Sequence, residues 1–286
     1  MFAAKEQWKV EIRSAESAAE FTRMAREAAA ERRPRIFALG GDGTFQLLLN
    51  AAAGSPLVTL GVLPAGGGND LASALGLPPE PIRAAKLILS EGEVSWLDAA
   101  VVRTADGVER LYMGGGGVGL DAEAMRYAGG VYRNIRGRTR YLLSAIRALR
   151  TFQPLKIRLF LEGSITRFFE YTALVAAVLN TPSYGAGLRL APSASLEDGA
   201  LDLVTLEDLN LLEILRLLPA LSLRGELRTD RAQRFAVTKV RIETDRPIFF
   251  QADGELIGQT PAEIAVVPRA ARVWHPRRSP NPESNG

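Results

Sequence analysis

The stretch that most constrains this chain is Arg35–Asn50, Arg-Ile-Phe-Ala-Leu-Gly-Gly-Asp-Gly-Thr-Phe-Gln-Leu-Leu-Leu-Asn. The apolar run Ile36 to Leu39 has the length of a buried strand, and Phe45 to Ala53 reads as a helix, so Gly40, Gly41, Asp42 and Gly43 fill the turn between them. Glycines at such a junction let backbone N–H groups approach an anion, and the positive end of the helix dipole points the same way. Asp42 adds a second requirement. A carboxylate beside a polyphosphate is repulsive unless a divalent cation lies between them, which points to a magnesium–nucleotide complex. The same four residues also suit an ordinary tight turn.

Two familiar phosphate motifs are excluded. The P-loop needs Lys-Ser/Thr after its last glycine, where this chain has Thr44 and Phe45. The dinucleotide fingerprint needs Gly or Ala three residues beyond Gly43, where Gln46 stands.

The 286 residues, 47% of them hydrophobic, suffice for one large or two medium domains with real cores. No apolar run approaches the roughly 18 residues of a membrane span, and the N-terminus lacks a secretory pattern, so a globular cytoplasmic protein is expected. Without cysteine there are no disulfides or thiolate metal sites. His275, the only histidine, lies between Trp274 and Pro276, which suits a surface or packing role and leaves Ser-His-Asp chemistry unsupported. The net charge of +3 hides a basic block, Arg133 to Arg167, with nine Arg or Lys against the single acid Glu162. Such a block can face solvent, nucleotide phosphate or anionic lipid at the inner face of a membrane. The scarcity of clustered aromatics argues against nucleic acid.

Along the chain, Trp8 to Ile12 reads as a strand, and Phe21, Met24, Ala25 and Ala28 as a helix behind a capping box of Ser17 and Glu20. After the first glycine loop, Leu57 to Leu63 leads into Pro-Ala-Gly-Gly-Gly-Asn-Asp at 64–70, which repeats the strand–glycine–helix design. Two such junctions side by side lie at the C-terminal edge of a parallel sheet, where open α/β folds bind ligands. From Asp98 onward strand-length runs dominate, including Ala99–Arg103, Phe168–Leu179, Ala200–Leu206, Phe235–Glu243 and Glu263–Val267. Helices are expected at Arg140–Thr151 and at Leu209–Leu218, the latter packed or resting on a membrane. The expected architecture is α/β followed by mostly antiparallel β: a nucleotide domain at 1–97, a β-rich domain at 98–276 and a disordered tail at 277–286.

Four motifs stand in order: Gly-Gly-Asp-Gly-Thr at 40–44, Pro-x-Gly-x-x-Asn-Asp at 64–70, Asp198-Gly199-Ala200 before Leu-Asp-Leu, and Asp253-Gly254-Glu255. With Asn180-Thr-Pro-Ser-Tyr184-Gly-Ala-Gly187, they make the chain resemble the diacylglycerol kinase catalytic family, in particular the soluble bacterial lipid kinases related to sphingosine and ceramide kinases. That resemblance implies a phosphofructokinase/NAD-kinase-like nucleotide domain, a β-sandwich-like domain forming a lipid cleft, and an ATP- and Mg2+-dependent phosphorylation of a lipid hydroxyl, diacylglycerol above all. By similarity, Gly40, Gly41, Gly43, Thr44 and Gly66 cradle the nucleotide, with Asn69 and Asp70 helping to hold it. Asp42, Asp70 and Asp98 organise magnesium through water, and Asp198 binds a second, structural magnesium. Glu255 is the general base, with Asp42 and Asp253 beside it in the catalytic set. On the residues alone, Asp70 and Asp98 equally suit N-caps or turns, Asp198-Gly199 an ordinary turn and Asp253-Gly254 a hairpin turn.

The chain also departs from the family. The first strand, with its Asn-Pro turn, is not recognisable, Leu47 stands where relatives often carry Glu, and Gly114 where they often carry Asn. The alternatives kept open are an impaired nucleotide- or lipid-binding member and an NAD kinase-like enzyme. A peripheral membrane contact and a homodimer are compatible with the sequence.

Overall fold

The computed structural model describes residues 9–52, 55, 57–135, 138–162, 167–185, 187–207, 209, 213 and 230–277, without the side chains of residues 138, 141 and 142. In chain order, α1 is Ala18–Ala30, β1 Arg35–Gly40, α2 Asp42–Ala52, β2 Thr59–Pro64, α3 Asp70–Ala74 and α4 Pro81–Glu91. Then follow β3 Gly92–Thr104, β4 Glu109–Tyr112, β5 Gly115–Gly119, α5 Leu120–Gly129, α6 Arg138–Thr151, β6 Leu155–Glu162 and β7 Arg167–Leu179. The chain closes with β8 Leu201–Glu207, β9 Ala232–Val237, β10 Lys239–Thr244, β11 Phe249–Ala252, β12 Glu255–Gln259 and β13 Ala262–Pro276.

Local chemistry explains the helical ends. Ser17 caps α1 by accepting the Glu20 N–H at 3.2 Å, while Glu20 reaches back to the Glu16 N–H at 2.8 Å. Pro81 opens α4, where a missing N–H costs nothing. The helix α2 begins at Asp42, earlier than the apolar pattern indicates, so the turn after β1 is reduced to Gly41 and the loop residues Asp42, Gly43 and Thr44 form the first helical turn.

The described strands form one curled, mixed sheet. Parallel pairing is confined to β1 with β2 and β2 with the end of β13, while the other pairs are antiparallel. The long strands β3 and β13 stay paired from Gly92–Pro276 to Thr104–Ala262, with a register shift between Val267 and Ala271. They therefore run from the α/β half into the β-rich half, and residue 97 lies inside β3. Two main cores result. One packs Phe45, Leu48, Leu49, Leu71 and Ile88 of the helices onto Ala38, Leu60 and Val62, and takes Val273 and Trp274 from the far end of the chain. The other packs the alternating inward residues of β6, Leu155, Ile157, Leu159 and Leu161, against β7, β10 and β13. Full burial of one such Phe or Leu is worth about 1.5–3 kcal/mol.

Three expectations change. Residues 9–12 form no strand: Val10 and Ile12 are 75% and 90% exposed, and Arg13, Glu11 and Arg33 are tied in surface ion pairs instead. The run Phe235–Glu243 is two strands, β9 and β10, broken at Thr238. The last strand continues nine residues past Val267, beyond Pro268 and Arg269, because the kink there is met by β3 on the other side. The expected helix at Leu209–Leu218 and the tail from 278 onward lie essentially outside the described residues. His275 is buried and its Nδ1 pairs with the Pro276 carbonyl at 2.7 Å, a packing role.

Candidate active site

The two glycine loops touch backbone to backbone. A Cβ on Gly66 would lie 2.5 Å from the Gly41 Cα, so no side chain fits between the loops. Asn69, in the left-handed conformation at φ 60°, ties its own loop: its Oδ1 accepts from the Gly66 N–H at 3.0 Å and its Nδ2 donates to the Gly66 carbonyl at 2.9 Å. Asp42 then crosses from the first loop to the second. Its carboxylate accepts the N–H of Asp70 at 3.2 Å and of Leu71 at 3.0 Å, thus capping α3. Burial raises the Asp42 carboxyl above its ordinary value; the Leu71 N–H opposes this and the Asp70 charge adds to it. Asp70 Oδ1 in turn accepts the Gly187 N–H at 3.0 Å, which draws in the loop following β7.

From the β-rich side comes the turn between β11 and β12. Ala252 pairs with Glu255, leaving Asp253 and Gly254 as a two-residue hairpin turn with φ of 49° and 85°, the positive values that the turn's twist demands. The Asp253 carboxylate is anchored by three backbone donors, Met113 at 3.1 Å, Gly114 at 3.0 Å and Gly115 at 3.1 Å. Burial pushes its carboxyl up to about 8, with Asp42 adding to the rise and the three N–H bonds opposing it. A Cβ at position 114 would lie 2.6 Å from Asp253 Oδ1, so Gly114 leaves the room this carboxylate occupies.

This turn carries Glu255 onto the phosphate loop. A Cβ on Gly43 would lie 3.2 Å from Glu255 Oε1 and 3.4 Å from the Asp253 carbonyl, so the candidate base sits directly over the first turn of α2. Gln46, one turn further along α2, fastens the contact by donating to the Ala252 carbonyl at 3.1 Å. Glu255 is exposed as a residue, yet desolvation around its carboxyl raises it, and the positive charge of Arg140 on α6 opposes that rise.

Asp98 and Asp198 lie together in a different place. Asp98 is buried, with Oδ2 accepting the Gly199 N–H and Oδ1 the Arg269 N–H, both at 2.7 Å. Asp198 Oδ1 accepts the Ala200 N–H at 3.1 Å, a local turn. The four carboxylates thus divide into Asp42 with Asp70 at the two glycine loops and Asp98 with the Asp198 loop at the β13 kink. Among the described residues no three His, Cys, Asp or Glu side chains are grouped to hold a metal by themselves. Asp42 and Asp70 fit the other arrangement, a magnesium ion that brings phosphate and water ligands with it, their neighbouring carboxylates supplying the negative field, while Asp253, with its carboxyl pushed up to about 8, adds charge only once it is ionised.

Sequence reasoning missed Gln46, Asp121, Gln251 and the charge of Arg140 near Glu255. The available signal was a polar residue inside an apolar pattern: Gln46 in Phe-Gln-Leu-Leu-Leu and Gln251 in Phe-Phe-Gln-Ala, both buried.

Comparison with known proteins identifies the family. Residues 1–102 match the diacylglycerol kinase catalytic domain, and residues 115–275 match the YegS C-terminal NAD kinase beta sandwich-like domain. The chain is 32% identical over 248 residues to a diacylglycerol kinase of Mycobacterium tuberculosis, covering 85% of this chain and 77% of that protein. It is 32% identical over 266 residues to a diacylglycerol kinase of Bacillus subtilis, covering 91% and 84%. A crystal structure of a diacylglycerol kinase from Bacillus anthracis has the same fold, with a TM-score of 0.65 at 19% identity over 94% of this chain and 84% of that one. The chain belongs to the diacylglycerol kinase family of bacterial lipid kinases, ATP-using enzymes that phosphorylate lipids.

Proposed function

We propose that this lipid kinase transfers the γ-phosphoryl group of ATP to the free hydroxyl of diacylglycerol, giving phosphatidic acid and ADP, with magnesium. The observation that carries the reading is the seat of Glu255 over Gly43, which puts a carboxylate with a raised pKa beside the N-terminal turn that would hold the phosphates. The lipid hydroxyl oxygen bonds to the γ-phosphorus as the bond to the ADP oxygen breaks, and Glu255 accepts the hydroxyl proton. Gly40, Gly41, Gly43, Thr44 and Gly66 line the cradle; Asn69 braces the second loop by bonding both the N–H and the carbonyl of Gly66, and the second hydrogen of its Nδ2 is the donor that would help to hold the nucleotide. Asp42 and Asp70 would hold magnesium, which when bound neutralises charge on the transferring phosphoryl group. A loose phosphoryl-transfer transition state asks for alignment and charge neutralisation more than strong deprotonation, which suits a carboxylate base.

No helix among the described residues is long and apolar enough to cross a membrane. Access to a lipid then calls for peripheral docking. Val131, just before the basic block, and Ile146, within it on α6, are 62% and 39% exposed, an arrangement that suits anionic lipid. The test is γ-labelled ATP with diacylglycerol, sphingosine, ceramide, a polyprenol and NAD, the lipids offered in neutral or anionic vesicles. Magnesium-dependent labelling of diacylglycerol, faster on anionic vesicles and slowed by salt, is expected. Labelling of NAD alone, or of another lipid in preference, would overturn the substrate assignment, and indifference to vesicle charge the docking.

A further inference from the structure

Behind the Asp253–Gly254 turn lies a hydrogen-bonded cluster that takes no direct part in phosphoryl transfer. Gln251 is buried at 4% exposure, two residues before Asp253. Its Oε1 accepts the Gly254 N–H at 3.2 Å, and its Nε2 donates to Asp121 Oδ2 at 3.1 Å and to the Tyr184 hydroxyl. Tyr184 donates its own proton to the same Asp121 oxygen. With Asp121 Oδ2 as the common acceptor, and Oδ1 buried without a partner among the described residues, the amide presents its oxygen to the turn and its nitrogen to the carboxylate. The three side chains come from separate parts of the chain, the first turn of α5, the loop following β7 and the end of β11.

The cluster reaches both lobes. Tyr184 exchanges backbone bonds with Leu188, at 2.9 and 3.2 Å, closing the short loop whose Gly187 N–H is held by Asp70. On its other side the cluster grips the amide of Gly254, the residue that separates anchored Asp253 from Glu255. A two-residue turn leaves Glu255 no independent adjustment, so whatever fixes Gly254 fixes the direction in which Glu255 leaves the turn. Gln251 sits in an otherwise apolar strand, where a polar side chain is costly unless paired.

We infer that Gln251, held by Asp121 and Tyr184, is a positioning residue that sets Glu255 against the phosphate loop and couples this setting to the loop on Asp70. The inference rests on the lipid kinase reading, and deepens it by naming what aims the base. Alignment within fractions of an ångström is what phosphoryl transfer draws on, so a loosened turn should cost turnover without costing nucleotide affinity.

The test uses the full chain and a donor–acceptor exchange. Gln251→Glu keeps an acceptor for Gly254 but sets a second carboxylate against Asp121; adding Asp121→Asn restores a donor facing an acceptor. Turnover is measured on whichever of the candidate lipids the wild type phosphorylates, which separates failure of this inference from failure of the diacylglycerol assignment. ATP affinity is followed by displacement of a fluorescent ATP analogue, and exchange of the 252–256 amides by mass spectrometry. Gln251→Glu should lower kcat by roughly 10- to 100-fold, with ATP affinity within about twofold, and speed amide exchange at the turn. The Asp121→Asn/Gln251→Glu double variant should recover most of the lost kcat and the slow exchange. Gln251→Met, which fills the space with no hydrogen bonds, should behave as the single Glu variant does. Near-normal kcat in Gln251→Met would overturn the inference. So would a loss of kcat, ATP affinity and melting temperature together that the double variant does not repair, since that marks a merely structural cluster.

Discussion

Asp98 and the aspartates at the glycine loops use the same side chain in opposite ways. Around Asp98, carboxylate oxygens meet backbone N–H groups: Gly199 and Arg269 bind its two oxygens, and the Asn180 amide ties its carbonyl and that of Met113. The charge is answered by the chain itself, and the product is a clamp joining β3, the loop before β8 and the β13 kink. At the cleft the carboxylates also accept N–H bonds, but they crowd one another. Burial raises both Asp42 and Asp253, and on top of it the Asp70 charge raises Asp42 and the Asp42 charge raises Asp253. Like charges gathered at the edge of two glycine loops are unfavourable without a cation, so this group is arranged for something that comes from outside. A carboxylate's job is read from whether its neighbours satisfy it or oppose it.

The sharpest way to break this contrast is to remove one member from each group. Asp42→Ala should lower magnesium-dependent turnover on the order of 10²- to 10³-fold. Its structural cost is the lost cap on α3, about 1 kcal/mol, so the protein should remain folded. Steady-state kinetics beside a thermal melt decides this, and near-normal turnover at saturating magnesium would remove Asp42 from the reaction. Asp98→Ala should reverse the pattern. The Gly199 and Arg269 N–H groups lose their charged acceptor, and the links to the loop before β8 and to the β13 kink go with it, at about 1–1.5 kcal/mol each, so the melting temperature should fall by several degrees while kcat per folded molecule changes only a few-fold. A loss of kcat as deep as that of Asp42→Ala, with an unchanged melt, would move Asp98 into the metal-organising group that the family resemblance assigns to it.

A smaller effect sharpens the comparison from the pH side. The folded pKa of Asp253, about 8, lies above the roughly 3.9 of an unfolded aspartate. The folded state therefore holds this proton more tightly than the unfolded state does. The stability it contributes is present in full below pH 4 or so and is lost as pH rises toward about 8. In EDTA, the melting temperature of the wild type should decline across that window, and Asp253→Asn should decline less. Parallel curves for the two proteins would show that Asp253 titrates as an ordinary carboxyl.

Much of this arrangement is legible in the amino-acid sequence. The strand–glycine–helix junctions announce themselves because glycine density and a change of hydrophobic period coincide at 40–44 and 64–70, and Asp-Gly between two strands is a strong hairpin sign. Pairings of residues far apart in the chain leave no such local mark. Gln46 with Ala252, Asp121 with Gln251, and Asp253 with the amides of 113–115 are separated by 130 or more residues; Gln46, Asp121 and Gln251 look locally like stray polar side chains, and Asp253 like a turn residue alone. Nor does the second glycine loop reveal that Asn69 closes it from within. The missed extent of β13 has a similar cause: Pro268 and Arg269 signal a stop locally, and only the continuous partner β3 carries the strand past them.

Glu255, seated over Gly43, is on this account the group that takes the lipid proton, and the most direct measurement is kcat and ATP affinity of Glu255→Gln on the same preparation. The substitution preserves size and hydrogen bonding but removes the charge, while Asp253 and Gly254 keep the turn. The expected result is a fall in kcat of roughly 10²-fold or more, with ATP affinity and melting temperature close to wild type. A mutant with near-normal kcat would contradict it, as would one that lost ATP affinity yet turned over normally at saturation.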